Sequence, residues 1–198
     1  SAGPDAVFED RLPRAFSRGI LVVKSYVDRG SSLAIIDRFR GKWRIVAETP
    51  PIGQPNRWLN PAAVADFQGD RHPRIALVKT PHLDGVLQVW RWGTNPRTRR
   101  TFLELEHEKP GYSNHAIGSP VVTLATTIKL YSHAEPLLAI PTLDRSALAI
   151  LSLKSGITEL KRIPLPARAK TGVAAIGTGP DTHVLVGLED GRVAVVRP

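Results

Sequence analysis

Short apolar runs recur along the chain and are separated by clusters of glycine, proline and small polar residues. No segment keeps apolar residues at the 3.6-residue spacing of an amphipathic helix. Runs of four to six residues, rich in valine, isoleucine and leucine and bounded by turn residues, are typical of strands. The clearest runs lie at 19–24, 32–36, 74–78, 86–90, 136–140, 147–151, 183–186 and 192–196. The pattern predicts an all-β protein.

These strands form pairs, and the pairs repeat. The connecting turns are Asp28-Arg29-Gly30, Asp84-Gly85, Asp144-Arg145-Ser146 and Asp190-Gly191. Asp-Gly provides the positive φ angles that a tight hairpin needs. The first strands of the pairs begin at Ile20, Ile75, Leu137 and Val184. A β-rich unit that repeats about every 50 residues is typical of propeller blades.

Two further strands complete each unit. Small apolar segments precede the pairs at 12–16, 61–67, 120–125 and 172–176, and outer strands follow at 43–47, 100–105 and 157–163. The units span 11–50, 60–108, 117–165 and 171–198, with 5–10 assigned to the last one.

The expected architecture is therefore one domain over 1–198. It is a small β-propeller of about four four-stranded blades, or five if the termini hold another. The strand at 6–10 would close the ring and remove exposed sheet edges. A β-sandwich or an irregular barrel is the alternative.

The composition narrows the class of protein. With 42% hydrophobic and 23% charged residues, the chain is ordinary for a soluble globular protein. No apolar run reaches the ~18 residues of a membrane span. The chain has no Cys and no Met, so we expect a processed protein located in the periplasm or secreted. A purification remnant or a proteolytic fragment would also explain the missing initiator Met.

The segment 65–78 reads as a small residue, Asp66, an apolar residue, Gln68, Gly69 and Asp70, followed by an apolar strand. It resembles the FG-GAP, or VCBS, propeller repeat. Three more stretches, at 57–61, 80–83 and 114–118, are similar to a bacterial group of such proteins, and the best match covers 7–118. The resemblance implies a propeller that is usually exported, and it implies no particular reaction.

The resemblance also implies a Ca²⁺ loop between the first two strands of a blade. Asp66, Gln68 and Asp70 occupy the first three ligand positions, and oxygen ligands from a tight loop suit this ion. Arg74 stands where the family has an acidic residue, and its guanidinium would repel a cation. We therefore disfavour Ca²⁺, expect an internal Asp–Arg pair instead, and expect no cofactor.

A ligand site is predicted near the mouth of the central channel of the expected propeller. Trp58 and His115 each precede the inner strand of a unit, and His82 lies between two strands. Together with Asn60 and Asn114, they offer aromatic and amide groups that suit a sugar or a small polar molecule. The alternative is that all five pack the interior and anchor loops.

Catalytic signatures are absent from the sequence. It has no nucleophile elbow, HExxH, Walker loop or dinucleotide fingerprint. Glu104, Glu106 and Glu108 alternate, which predicts one solvated strand face. We do not expect an enzyme, and a hydrolase acting in the channel is the remaining enzymatic alternative.

The net charge is +9, and part of it is concentrated in one loop. The polyanion-binding candidates are Arg91, Arg97, Arg99 and Arg100. Nucleic acid is disfavoured because the stacking platform of an RNA-binding sheet is absent. An acidic protein, an anionic polysaccharide or a lipid surface fits the charge equally well.

Taken together, these features favour a non-catalytic binding or interaction module of the FG-GAP/VCBS type. Its ligand is expected to be a protein or a carbohydrate. A lectin-like protein that binds a sugar or a polyanion is the alternative, and the oligomeric state is left open.

Overall fold

A computed structural model describes residues 19–39 and 41–198. Within these residues the chain forms fourteen strands and one short 3-10 turn at Gly179–Asp181. The strands are β1 (Ile20–Tyr26), β2 (Gly30–Phe39), β3 (Lys42–Glu48), β4 (Leu59–Ala65), β5 (Arg74–Lys79), β6 (Val86–Thr94), β7 (Thr101–Lys109), β8 (Thr126–Ile128), β9 (Leu137–Pro141), β10 (Ala147–Ser152), β11 (Thr158–Pro164), β12 (Ala169–Ile176), β13 (His183–Leu188) and β14 (Val193–Val196). None of the described segments forms a helix with the length and hydrophobicity of a membrane span.

The strands form four antiparallel sheets, each built from consecutive strands. Sheet 1 contains β1–β3, sheet 2 contains β4–β7, sheet 3 contains β8–β11 and sheet 4 contains β12–β14. The all-β prediction is confirmed. The strands predicted at 12–16 and 6–10, and with them the predicted closing of the ring, lie outside the described residues.

The turns inside the sheets have the backbone that the sequence predicts. Gly30, Gly85 and Gly191 have φ angles of 76°, 55° and 85°. In the third turn Arg145 takes the positive φ, at 60°. At Gly85 an added Cβ would overlap the carbonyl of Tyr112, so the linker after β7 lies directly on this turn.

Three apolar clusters join the sheets in chain order. Leu33 and Ile35 of sheet 1 pack with Ile75 and Leu77 of sheet 2. The next cluster joins sheets 2 and 3, and the last joins sheets 3 and 4. All five residues of β9 are buried, because sheet 3 is covered on both faces. Face-to-face packing of this kind buries side chains from both neighbours.

The inner strand predicted at 120–125 is wrong, since β8 spans only Thr126–Ile128. The backbone of the predicted segment bonds to its neighbours across the sheet boundaries. The Val122 carbonyl accepts a 2.8 Å hydrogen bond from Asn60 Nδ2, and the Thr123 carbonyl accepts a 2.9 Å bond from the Val173 N–H. An apolar segment satisfies its polar backbone wherever partners lie, and here these two partners lie in sheets 2 and 4.

Candidate functional site

The predicted ligand residues meet at one end of the strands of sheets 2 and 3, which we call the edge of these sheets. Trp58 precedes β4, His82 lies in the β5–β6 turn, and His115 belongs to the linker between β7 and β8. Backbone bonds hold these segments together. The Thr80 N–H donates to the Trp58 carbonyl over 2.8 Å, and the Tyr112 N–H donates to the Gly85 carbonyl over 3.0 Å. We call Trp58, His82 and His115 the aromatic cluster.

The two imidazoles form a directed hydrogen-bond chain. His115 Nε2 lies 3.0 Å from the Ser119 carbonyl oxygen, which can only accept, so Nε2 carries the proton. In the neutral ring Nδ1 is then an acceptor, and it receives a 2.7 Å hydrogen bond from His82 Nε2. In neutral His82 the Nδ1 atom therefore carries a lone pair.

Trp58 packs against both imidazoles. Its ring meets His115 edge-on with centroids 4.8 Å apart, and it lies 6.0 Å from His82. Such edge-to-face contacts are favourable because the positive ring edge meets the negative face. His115 is buried, whereas Trp58 and His82 are partly exposed. Trp58 and His82 are thus the members that a ligand can reach.

The surroundings of both histidines favour the neutral form, because the pKa of each ring is lowered. Burial is the main cause that lowers the pKa of His82, and repulsion from His115 when that ring is protonated, and then from Arg145, lowers it further. Burial also lowers the pKa of His115 and outweighs the hydrogen bond to Ser119, which acts in the opposite direction. Two neutral rings can donate and accept hydrogen bonds without a charge of their own.

Arg145, which the sequence did not single out, acts on this site through its positive charge, which lowers the pKa of both histidines. It lies in the β9–β10 turn, and its Nε donates to the Ala169 carbonyl over 3.1 Å. This turn is the counterpart, one unit later, of the turn that carries His82. Equivalent turns of adjacent blades lie at the same end of the strands, so the repeat alignment could have indicated that the charge of Arg145 acts on the cluster.

Asn60 and Asn114 form a reciprocal clamp. Asn60 Nδ2 donates to the Asn114 carbonyl over 3.2 Å, and Asn114 Nδ2 donates to the carbonyls of Asn60 and Pro61 at 3.0 Å each. Both side chains are buried. Their amide donors are therefore committed to the backbone, although Asn114 Oδ1 is buried without a hydrogen-bond partner in the described part of the chain.

The acidic loop that resembles a Ca²⁺ site has its oxygens engaged. The Asp66 carboxylate accepts hydrogen bonds from the N–H groups of Gly69, Asp70 and Arg71 at 2.8–3.1 Å. Gln68 Oε1 accepts from Arg74 over 2.7 Å. Across residues 19–39 and 41–198, no group of three His, Asp or Glu is placed to hold a metal. A guanidinium at the loop does not fit a cation site.

Arg74 is the centre of an ion-pair network at this loop. The residue is 2% exposed, and it pairs with Asp70 at 2.5 Å and with Glu106 at 3.0 Å. The Asp–Arg pair anticipated from the sequence is thus present. The prediction of one solvated glutamate face is wrong for Glu106. The register shift between β6 and β7 leaves Glu106 without a residue opposite it in β6, and its carboxylate accepts a hydrogen bond from Arg74.

The four arginines predicted to bind a polyanion divide into two groups. Arg91 pairs with Glu104 at 2.6 Å, and its Nε lies 3.7 Å from Glu106 Oε1. Arg97, Arg99 and Arg100 are exposed in the turn between β6 and β7, and no ion pair to them is found among the described residues. The turn is held by the Asn95 side chain, which accepts from the Arg97 N–H over 3.0 Å.

Four antiparallel sheets packed face to face in chain order define a propeller-like fold. No family model matches the chain, and no curated protein matches it. A solved structure of BBS1N in complex with ARL6DN, soaked with lead, aligns over 89% of this chain with a TM-score of 0.51 and 17% identity. The aligned part is 49% of that chain, so this chain spans about half its length. Identity this low shows the fold alone, and the FG-GAP/VCBS resemblance stays a prediction.

Proposed function

We propose that this chain is a non-catalytic interaction module of the FG-GAP/VCBS propeller type that acts outside the cytoplasm and binds a protein partner at the aromatic cluster. The observation that carries the proposal is the position of Trp58 and His82, partly exposed on a buried, hydrogen-bonded base. A rigid aromatic residue beside polar groups is a common anchor of protein interfaces.

The chemistry of the cluster favours a partner with an acidic side chain. Arg145 places a positive charge that both histidines sense. A carboxylate close to His82 would raise the pKa of that imidazole, and protonation at Nδ1 would turn it into a second donor. An acidic residue next to an apolar one therefore matches this edge.

The lack of a nucleophile on the hydrogen-bond chain, within the described residues, disfavours a hydrolase that acts through Ser or Thr. The hydrogen-bond chain runs from His82 to His115 and ends on the Ser119 carbonyl. A catalytic histidine needs a nucleophile or a substrate proton on one side and an orienting group on the other. Among the described residues, no serine or threonine hydroxyl bonds to either ring.

The solved neighbour supports a protein partner. In that structure BBS1N is in complex with ARL6DN. A propeller presents loops from several blades along one edge, which suits the recognition of an extended partner. The partner of this chain is defined here only by its chemistry, an acidic and apolar segment.

A displayed library of random peptides tests the proposal. We expect the selected peptides to carry Asp or Glu beside an apolar residue, and to bind about tenfold more weakly to Trp58→Ala and Arg145→Gln. Tyr131→Ala is the matched control, because this exposed aromatic lies in the loop between β8 and β9, away from the cluster. Absence of enriched peptides, or an equal loss in Tyr131→Ala, would contradict the proposal.

A carbohydrate ligand is the second candidate for the same edge. A partly exposed indole beside neutral imidazoles offers a stacking surface and polar groups, as sugar sites do. A glycan array measured at low and high salt separates the candidates. Sugar-specific binding that resists salt and is lost in Trp58→Ala would replace the protein partner with a sugar.

Polyanion binding is a candidate for the separate turn at 95–100. Arg97, Arg99 and Arg100 are exposed there, whereas the charge of Arg91 is matched by glutamates. Binding of this kind weakens steeply as salt increases. Retention on immobilised heparin that falls in a triple Arg→Gln variant of the turn, with Arg91→Gln as the control, would support it.

A further inference from the structure

Within residues 19–39 and 41–198, the last sheet leaves one face uncovered, and the first sheet leaves one face uncovered in part. Along β13 the residues alternate between partly exposed and buried, whereas every residue of β9 in sheet 3 is buried. Alternation of this kind means that only one face of a strand is packed. Among the described sheets, sheet 4 is therefore covered by sheet 3 on one side alone.

The uncovered face of sheet 4 is apolar. Ala174, Leu185 and Val195 are cross-strand neighbours in one row, and Val193 and Ile176 lie on the same face. Val195 is 63% exposed, and Val193 and Ile176 are also exposed. The opposite face packs into the core through Val184, Val186 and Val196. Contiguous exposed apolar surface on a sheet indicates an interaction site.

Sheet 1 has a partly uncovered face of its own. Ser32 and Ala34 of β2 are buried on this face, whereas its other end is exposed. Ile20, Ile36 and Ile45 are neighbours in one cross-strand row. Ile45 is 47% exposed, and Trp43, two residues earlier on the same face of β3, is 54% exposed. The opposite face carries Leu33, Leu21 and Val23, which pack against sheet 2. Large apolar side chains are thus presented at both ends of the array.

The two uncovered faces are of complementary kinds. Sheets 2 and 3 each pack with one face on the sheet before them in the chain and with the other face on the sheet after them. The uncovered face of sheet 4 corresponds to the face on which sheets 1 to 3 each bind the next sheet. Sheet 1 leaves uncovered the kind of face that sheets 2 to 4 each use to pack on the one before.

We propose that a second copy of this chain covers both faces. Sheet 4 of each copy packs on sheet 1 of the other, so two arcs of four sheets join head to tail into one ring. Because each copy carries both kinds of face, two copies related by a two-fold axis cover all four surfaces.

Mass measurement by light scattering after gel filtration, together with three variants, tests this assembly. The wild-type protein is expected at twice the 21.6 kDa chain mass. Val195→Glu alters the sheet 4 face and Ile45→Lys alters the sheet 1 face, and each alone is expected to yield monomers. Both residues are exposed, so neither change disturbs the core within one copy. Leu160→Glu is the control, since Leu160 is 44% exposed on β11 of sheet 3 and is expected to leave the dimer intact.

Mixing the two single variants provides the decisive result. In the mixed ring one seam is unaltered, and the other joins the Val195→Glu face to the Ile45→Lys face. The opposite charges at that second seam attract, so a heterodimer is expected to form again. A wild-type monomer at all concentrations would overturn the proposal, as would a mass that grows without limit. Loss of the dimer in only one of the two variants would also overturn it, since that outcome indicates pairing of like faces.

Discussion

His82 donates a hydrogen bond from Nε2 to Nδ1 of His115 over 2.7 Å, and the Ser119 carbonyl determines this direction by accepting from His115 Nε2. A proton can be added to His82 at Nδ1 without breaking the chain. Protonation of His115 would place two N–H groups face to face, because its Nδ1 is the acceptor. The hydrogen-bond chain is therefore intact only while His115 is neutral.

The first prediction concerns pH. The pKa values of His82 and His115 lie below the ordinary 6.5 in the folded chain. Below about pH 6.5 the unfolded chain therefore binds more protons than the folded chain. The free energy of unfolding decreases as the pH falls from about 6.5 to the lower pKa values of the two histidines in the folded chain. Urea unfolding at about pH 7.5 and about pH 5.5 measures this decrease.

A double variant, His82→Gln with His115→Gln, is expected to lessen that pH dependence. His72→Gln changes an exposed histidine in the acidic loop and serves as the control. A double variant whose stability falls with pH as steeply as that of the wild type would contradict the assignment.

The second prediction concerns the amide clamp. Asn114→Ala removes two hydrogen bonds and leaves the carbonyls of Asn60 and Pro61 without these donors in the interior. We expect the free energy of unfolding to fall by about 1–3 kcal/mol, the usual cost of unsatisfied buried polar groups. Denaturant unfolding measures it. Asn95→Ala, in an exposed turn, is expected to cost less, and an equal loss in both would argue against the clamp.

The third prediction concerns Gly85. Gly85→Ala places a methyl group on the Tyr112 carbonyl and also strains a backbone with φ of 55°. Gly191 has φ of 85° and open space around its Cα, so Gly191→Ala isolates the backbone strain. The strain costs about 1–2 kcal/mol. Thermal unfolding should show a clearly larger loss for Gly85→Ala, and equal losses would mean that the linker does not press on this turn.

The fourth prediction concerns Arg74. Arg74→Ala removes the nearer of the two cations at Glu106, which keeps only Arg91 at 3.7 Å, and it also removes the cation paired with Asp70. We expect the free energy of unfolding to fall by about 1.5–3 kcal/mol, as for lost hydrogen bonds to charged groups. Arg192 forms a similar pair with Asp190 at the surface. Exposed pairs contribute little, so Arg192→Ala should barely change the unfolding midpoint. Similar midpoints for the two variants would indicate that the Arg74 network is solvated.

Local sequence patterns predicted the strands because strand formation depends on short-range preferences. Apolar runs such as 74–78 and 86–90 became β5 and β6, and the Asp-Gly turn between them adopted the positive φ that glycine allows. The segment 120–125 has a similar composition and forms no strand, because its carbonyls are bound by residues of other sheets. Contacts of this kind connect residues far apart in the chain, so no local pattern contains them.

The sequence by itself determined an all-β chain of repeated units, the positions of its turns and the residue types gathered near one edge. The tertiary structure decided which of those residues face one another. It directed the amides of Asn60 and Asn114 to the backbone and matched the charge of Arg91 with glutamates. It also brought Arg145 of the next sheet close enough for its charge to lower the pKa of His82. Residue type and short-range preference are properties of the local chain, whereas these partnerships depend on how separate sheets pack, and packing is set by the whole chain.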